Sequence, residues 1–170
     1  LITLIGRIYA GYVTGVYSSD ILEAEIIRIG KKIPFRPAEG PVRGRTLHVM
    51  TQGFAIGGHP VIVNNWIKWD KDTRSSIVFT DMPGTKIPDF LKESVKKSGG
   101  EIFCINRRKN DLSKAEELLE ISQRYERVIL HTHMYDVVPV LAYSNPEWKR
   151  PVYLYNHADF RFSFGFSVAD

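Results

Sequence analysis

The sequence predicts an α/β protein: a doubly wound, mostly parallel sheet of about five or more strands, preceded by a helical lead-in. Two observations carry that expectation. Short β-branched or apolar runs recur at TLHVMT (46–51), SSIVFT (75–80), EIFCIN (101–106), RVILHTH (127–133) and PVYLYN (151–156), with helical stretches between them. The runs are apolar through their centres rather than alternating, which marks strands covered on both faces. A chain of 170 residues buries roughly 70% of its unfolded surface in a single core, so one domain suffices.

Taken in order, Leu1 to Tyr17 carries Arg7 among glycines and tyrosines and is too broken for a signal-peptide core. Asp20 is placed as the N-cap of ILEAEIIRIGKK, in which Leu22, Ile26 and Ile29 recur at helical spacing before Gly30. IPFRPAEGPVRG then holds three prolines and two glycines, which neither helix nor central strand tolerates. Residues 1–44 are therefore expected to be a helical lead-in and linker, and the compact domain to occupy 45–170. Within it a helix runs from about Gly58 to Trp69, and a second opens at Pro88 and Asp89 and ends near Gly99-Gly100. A third is capped by Asp111 or Ser113, with Leu112, Ala115, Leu118, Leu119 and Ser122 expected on one face. A shorter one spans Asp136 to Tyr143.

Composition excludes several classes. Cys104 is the single cysteine, so no intrachain disulfide forms and the chain has no need of an oxidising compartment; a cytoplasmic location is expected. No apolar run approaches the ~20 residues of a membrane span. Lysine and arginine number 23 against 19 acidic residues, a net +4, which suits an acidic ligand and falls short of a nucleic-acid-binding composition. Trp66, Trp69 and the Phe160, Phe162, Phe164, Phe166 alternation have only Arg161 interleaved, so nucleic acid is not an expected partner. Arg28, Lys31, Lys32, Arg36, Arg43 and Arg45 face only Glu39 in sequence, which reads as a solvated basic linker or a patch for peripheral membrane association.

In doubly wound sheets ligands sit beyond the carboxyl ends of the strands, where strand order reverses. The informative residues should follow the strands. After the first comes QGFAIGGHP, whose Gly57 and Gly58 let backbone amides approach an anion at a helix amino end, with His59 in the first turn. After the fourth, His131 and His133 point the same way in extended chain, and Asp136 is explained as an N-cap. After the fifth come Asn156, His157 and Asp159, donors and acceptors suited to a sugar hydroxyl or a carbonyl. Four of the five histidines, all but His48, fall at strand ends or just beyond. No Gly-x-Ser-x-Gly is present, and Cys104 sits inside a strand run, where a thiol packs rather than reacts.

RTLHVMTQGFAIGGHPVIVNNWI, VILHTHMYDVVPVLA and PVYLYNHADFRFSFGFSVAD together resemble the amino-terminal Rossmann-like domain of bacterial GT-B glycosyltransferases (glycosyltransferase group 1, family 4-like) over residues 45–170. The resemblance implies a fragment of an enzyme that moves a sugar from a nucleotide-sugar, its co-substrate, to a glycan or other acceptor, with no resident cofactor and no metal. It implies that Gly57, Gly58 and His59 approach the donor diphosphate. His157 is the implied cleft histidine at the donor sugar, supported by Asp159. His131, His133, Asp136 and Asn156 fall where acceptor contacts are implied. A carboxyl-terminal donor domain is also implied, which residues 1–170 do not include, so this chain alone is expected not to transfer sugar and its aromatic tail to edge the interdomain cleft. Two other readings stand beside it: a metal-dependent hydrolase using His131, His133, His157 and Asp159, and a non-catalytic flavodoxin-like interaction domain.

Overall fold

The computed structural model describes residues 2–13, 15–37, 40–83, 87–157 and 160–170. Asp159 and Glu39, both singled out in the sequence, lie outside the described residues. Strands β1 (Arg45–Met50), β2 (Arg74–Phe79), β3 (Ile102–Cys104), β4 (Arg127–His131) and β5 (Val152–Leu154) form one sheet in the order β3-β2-β1-β4-β5, parallel at every pairing. The chain runs outward from β1 to β3 and then crosses back to β4 on the other side of β1. The switch point expected of a doubly wound sheet therefore lies between β1 and β4.

Period-two alternation divides the strand side chains between two cores. On one face Met50, Ile77 and Phe79 pack under α3 (Gly58–Trp69) and α4 (Asp89–Ser98) through Val63, Ile67, Leu91 and Val95. On the other, Leu47, Val49, Val78, Val128 and Leu130 pack against α2 (Asp20–Gly30), α5 (Asp111–Ser122) and α6 (Val138–Tyr143). After Arg45 and Arg74 every residue of β1 and β2 is buried, on both faces, which accounts for the absence of apolar–polar alternation along them.

The lead-in shares this second core. Ile26 and Ile33 are buried in it, and Gly30 lets α2 approach α6 so closely that a Cβ would collide with the Leu141 carbonyl oxygen. A further helix, α1 (Ile2–Gly11), forms where the sequence shows only a broken run. Its warrant is tertiary: Tyr9 packs on Phe162 with ring centroids 5.3 Å apart, and Thr3 Oγ1 donates to Asp111 Oδ2 at 3.1 Å.

The carboxyl-terminal tail also packs on this core, which corrects its expected place at a cleft edge. Phe162 and Phe164 are buried with α1 and α2, while Phe160 and Phe166 stay exposed. The buried Glu23 of α2 accepts from the backbone N–H groups of Gly165 and Ser167, each at 2.8 Å, and so clamps the tail. Asp170 completes the attachment, its N–H donating to the Val152 carbonyl and its carboxylate accepting from the Val152 N–H, both at 2.8 Å.

Several boundaries move by a residue or two. Ser19, not Asp20, caps α2, accepting from Leu22 N–H, and Asn110, not Asp111 or Ser113, caps α5 through Ser113 N–H. Pro88 is itself the N-cap of α4, and α6 starts at Val138 with Val137 as cap. β4 stops at His131 and β5 at Leu154, so His133, Asn156 and His157 stand in the loops beyond them. Cys104 is exposed rather than packed in the core, and partial desolvation of its thiol raises the thiol pKa.

Candidate functional site

The parallel register sets Met50 opposite His131 and His48 opposite Ile129. Side chains two residues apart share a face, so His48 and His131 project together on the α3 side of the sheet. His48 Nδ1 and His131 Nε2 are 3.1 Å apart, and His131 Nδ1 lies 3.2 Å from His157 Nε2. From there the His59 ring sits 3.7 Å from that of His157, centroid to centroid, and 5.8 Å from that of His133. All five histidines of the chain thus form one continuous train, from the middle of β1 to the crevice at the switch point.

Aromatic side chains wall it. Trp66 of α3 meets both His48 and His131 edge-on, with centroids 5.9 and 5.6 Å away, and Tyr155 stacks over His131 at 5.6 Å and lies 4.7 Å from His157. These walls decide the charge state, because a low-dielectric surrounding disfavours the imidazolium. Burial pushes His48 down to about 3 and His157 to about 4. Burial also holds His131 well below its ordinary value, reinforced by the neighbouring His48, His157 and His59. His59 and His133 are lowered as well, by burial first. The whole train is neutral at physiological pH.

Neutrality constrains its protons. Each neutral imidazole carries one N–H, so His131 must donate one of its two hydrogen bonds and accept the other. Either the N–H groups all point outward from His48 to His157, leaving Nδ1 of His157 as a donor, or all point inward, leaving it an acceptor. His48 Nε2 is buried with no partner in either arrangement. The two orders differ in which nitrogen of all three rings carries hydrogen, and passing from one to the other also requires a proton at His48 Nε2 to be exchanged for one at His157 Nδ1, so the shift cannot run within the train alone.

The first turn of α3 lies beside His59. Gly57 precedes it with φ 131°, a conformation that side chains rarely adopt, and makes no side-chain cap. A Cβ on Gly57 or Gly58 would meet nothing within 4 Å. The helix amino end is therefore open at Gly57 and Gly58, although Pro60 in its first turn has no N–H to offer an anion.

The residues expected at acceptor contacts divide. His133 is half-buried beside the crevice, its Nδ1 3.1 Å from the Tyr135 hydroxyl and its backbone N–H donating to Thr51 Oγ1 at 2.8 Å. Asn156 is half-buried in the loop after β5. His131 is fully buried behind His157 and acts on that ring rather than on a ligand. Asp136 turns inward: its Oδ2 accepts from the Thr51 and Thr80 hydroxyls at 2.6 and 2.5 Å, and its Oδ1 accepts from Val138 N–H at 3.0 Å. It ties the ends of β1 and β2 to α6, so its role is to position the crevice, not to contact an acceptor. His48, Trp66 and Tyr155 are the site residues that sequence reasoning missed.

Among the described residues, no three His, Cys, Asp or Glu side chains converge to hold a metal ion. No helix among them is long and apolar enough to cross a membrane. The structure thus defines a doubly wound α/β protein whose switch-point crevice is lined by uncharged imidazoles and an open helix amino end. No family model, curated protein or solved structure matches the chain.

Proposed function

We propose that residues 45–170 form the acceptor-side, Rossmann-like half of a nucleotide-sugar-dependent glycosyltransferase of the GT-B kind, with the lead-in as part of its outer layer. The observation that carries this reading is the placement of His157: His131 holds it at the switch point, against His59 and the uncapped glycine start of α3. A neutral imidazole donates to or accepts from a sugar hydroxyl without attracting a counter-ion, and the helix amino end favours the diphosphate.

In this reading the bond between the anomeric carbon and the diphosphate oxygen breaks, and the diphosphate leaves with the electron pair. The acceptor hydroxyl oxygen bonds that carbon and passes its proton to the departing diphosphate oxygen. Gly57, Gly58 and His59 approach the diphosphate, His157 orients the donor sugar, and His133 and Asn156 border the acceptor. Donor recognition falls mainly to a second domain, outside residues 1–170.

Nuclear magnetic resonance titration of the longer parent protein, with this chain alongside, against a panel of nucleoside diphosphate sugars tests the reading. Saturable shifts of the Gly57 and Gly58 amides and of the His59 and His157 rings are expected in the parent from at least one of them, and weaker shifts or none in the chain alone. A panel that leaves all four unmoved in the parent refutes it. Stoichiometric zinc or manganese moving the same rings would instead make the crevice a hydrolytic metal site.

A further inference from the structure

The amino end of the same sheet holds a cavity of about 620 Å³, between the loop that leads into β1 and the carboxyl ends of α3 and α4. Arg43, Arg45, Lys68, Lys71, Arg74 and Lys97 line it against Asp70 and Asp72 only. Six cations facing two carboxylates leave a local excess of four, equal to the +4 of the entire chain. The protein's surplus charge is gathered at one place.

The acids nearby do not neutralise it. Asp70 accepts from Arg127 Nη2 and from the Thr73 hydroxyl, each at 2.9 Å, and Glu126 accepts from the Gly44 N–H at 2.7 Å. Among the described residues, no carboxylate pairs with Arg43, Arg45, Lys71 or Arg74; Lys97 has only a 3.9 Å contact with the exposed Glu93. The carboxyl ends of α3 and α4 contribute about half a negative charge each, which explains Lys68 and Lys97 in part. An excess of about three remains, carried largely by side chains outside the helices.

The backbone that presents these cations is held in place. Arg74 N–H donates to the Gly44 carbonyl at 2.8 Å, Val42 N–H to that of Arg124 at 3.3 Å, and Glu126 N–H to that of Arg45 at 3.0 Å. The hydroxyls of the lining are engaged internally. Ser98 Oγ donates to the Thr73 carbonyl and accepts from Ser75 N–H, and Ser94 Oγ bonds within its own helix. What the cavity offers a ligand is charge and arginine forks, a chemistry suited to phosphoryl oxygens and indifferent to the group that bears them.

We propose that this cavity is a second, separate site for a small polyphosphorylated anion, recognised through its diphosphate or triphosphate group rather than through an attached base or sugar. Its volume falls within the roughly 300–1,000 Å³ of small-molecule sites. The proposal does not rest on the crevice reading.

Resonance titration of the intact chain with sodium pyrophosphate at about 50 mM salt tests it, where screening still leaves surface charges effective. Saturable shifts are expected at the amides of Arg43, Arg45, Thr73, Arg74 and Ser98. The double variant Arg43→Gln, Arg74→Gln is expected to weaken binding by about tenfold or more, since each substitution removes a charge-assisted contact. ADP is expected to bind no more than a few-fold differently from pyrophosphate. Shifts confined to Gly57, Gly58 and His59 would overturn the second site while leaving the crevice reading intact, and saturable shifts nowhere would overturn it as well. A short RNA binding the same residues about tenfold more tightly than pyrophosphate would replace the small anion with a nucleic-acid strand.

Discussion

The two ends of this sheet carry opposite electrostatic arrangements on the same strands. At the carboxyl end five histidines form one train, three of them packed against Trp66 or Tyr155, and burial holds all five in the neutral form. At the amino end six basic side chains line an open cavity, most of them exposed. The difference teaches that residue type alone does not set the chemistry of a site. Burial turns imidazoles into hydrogen-bonding groups that must find partners inside the protein, whereas solvated guanidinium and ammonium groups keep their charge and bind few internal partners. Substitutions at the first end should therefore act on stability, and at the second on ligand affinity.

The largest effect is expected at Asp136. Removing its carboxylate in Asp136→Ala strands two hydroxyls and one backbone N–H in the interior. Unsatisfied buried groups cost about 1–3 kcal/mol each, with partial relaxation, so a loss of about 3–5 kcal/mol is expected in urea unfolding. The Thr51 hydroxyl that Asp136 holds also accepts from His133 N–H, so amide exchange at His133 should quicken in the variant. A loss below about 1 kcal/mol would mean that water reaches this hub and that the carboxyl end is not the dry environment the comparison assumes.

Acid should expose the same contrast with a smaller slope. His48, at about 3, and His157, at about 4, release protons in the folded chain that the unfolded chain holds up to about 6.5. The unfolded state then binds more protons across this window, so stability is complete above about pH 6.5 and is lost as the pH falls. The expected fall is up to about 1.4 kcal/mol per pH unit for each ring still neutral. His48→Leu removes one such ring and should flatten the limb by about one proton's share. Urea unfolding between pH 7.5 and 4.5 reads both slopes, and identical limbs would mean that His48 is solvated in the fold.

How much of this was legible follows from what each feature depends on. The strands and α3 to α5 depend on local periodicity, and they stand within a few residues of where the apolar runs put them. α1 depends on packing against a tail more than 140 residues away: Gly6 sits directly against the Phe164 ring, and Tyr9 against Phe162. No local pattern announces such a helix. His59, His133 and His157 were visible because loops after strands in such sheets carry function. His48 was not, because its partner His131 is 83 residues distant and meets it only once β1 is known to lie beside β4. Asp136 was misread for a related reason: its three donors come from β1, β2 and α6 ends that only the folded sheet assembles.

The smallest effect on stability is expected at the amino end, and it is the one that separates a site from a coincidence of charges. Arg43 and Arg74 are exposed and have no carboxylate partner among the described residues. Exposed cations without partners contribute little to folding and repel one another, so Arg43→Gln with Arg74→Gln should shift stability by no more than about 0.5 kcal/mol. Because neither side chain titrates near the histidines, the acid limb should keep its slope. If relief of repulsion dominates, the variant should gain slightly in low salt, and the gain should vanish as salt screens the cluster. Urea unfolding at low and high salt measures this directly. A loss well beyond 1 kcal/mol would show that these arginines hold the loop before β1 in place, and would move the amino end from ligand recognition to structure.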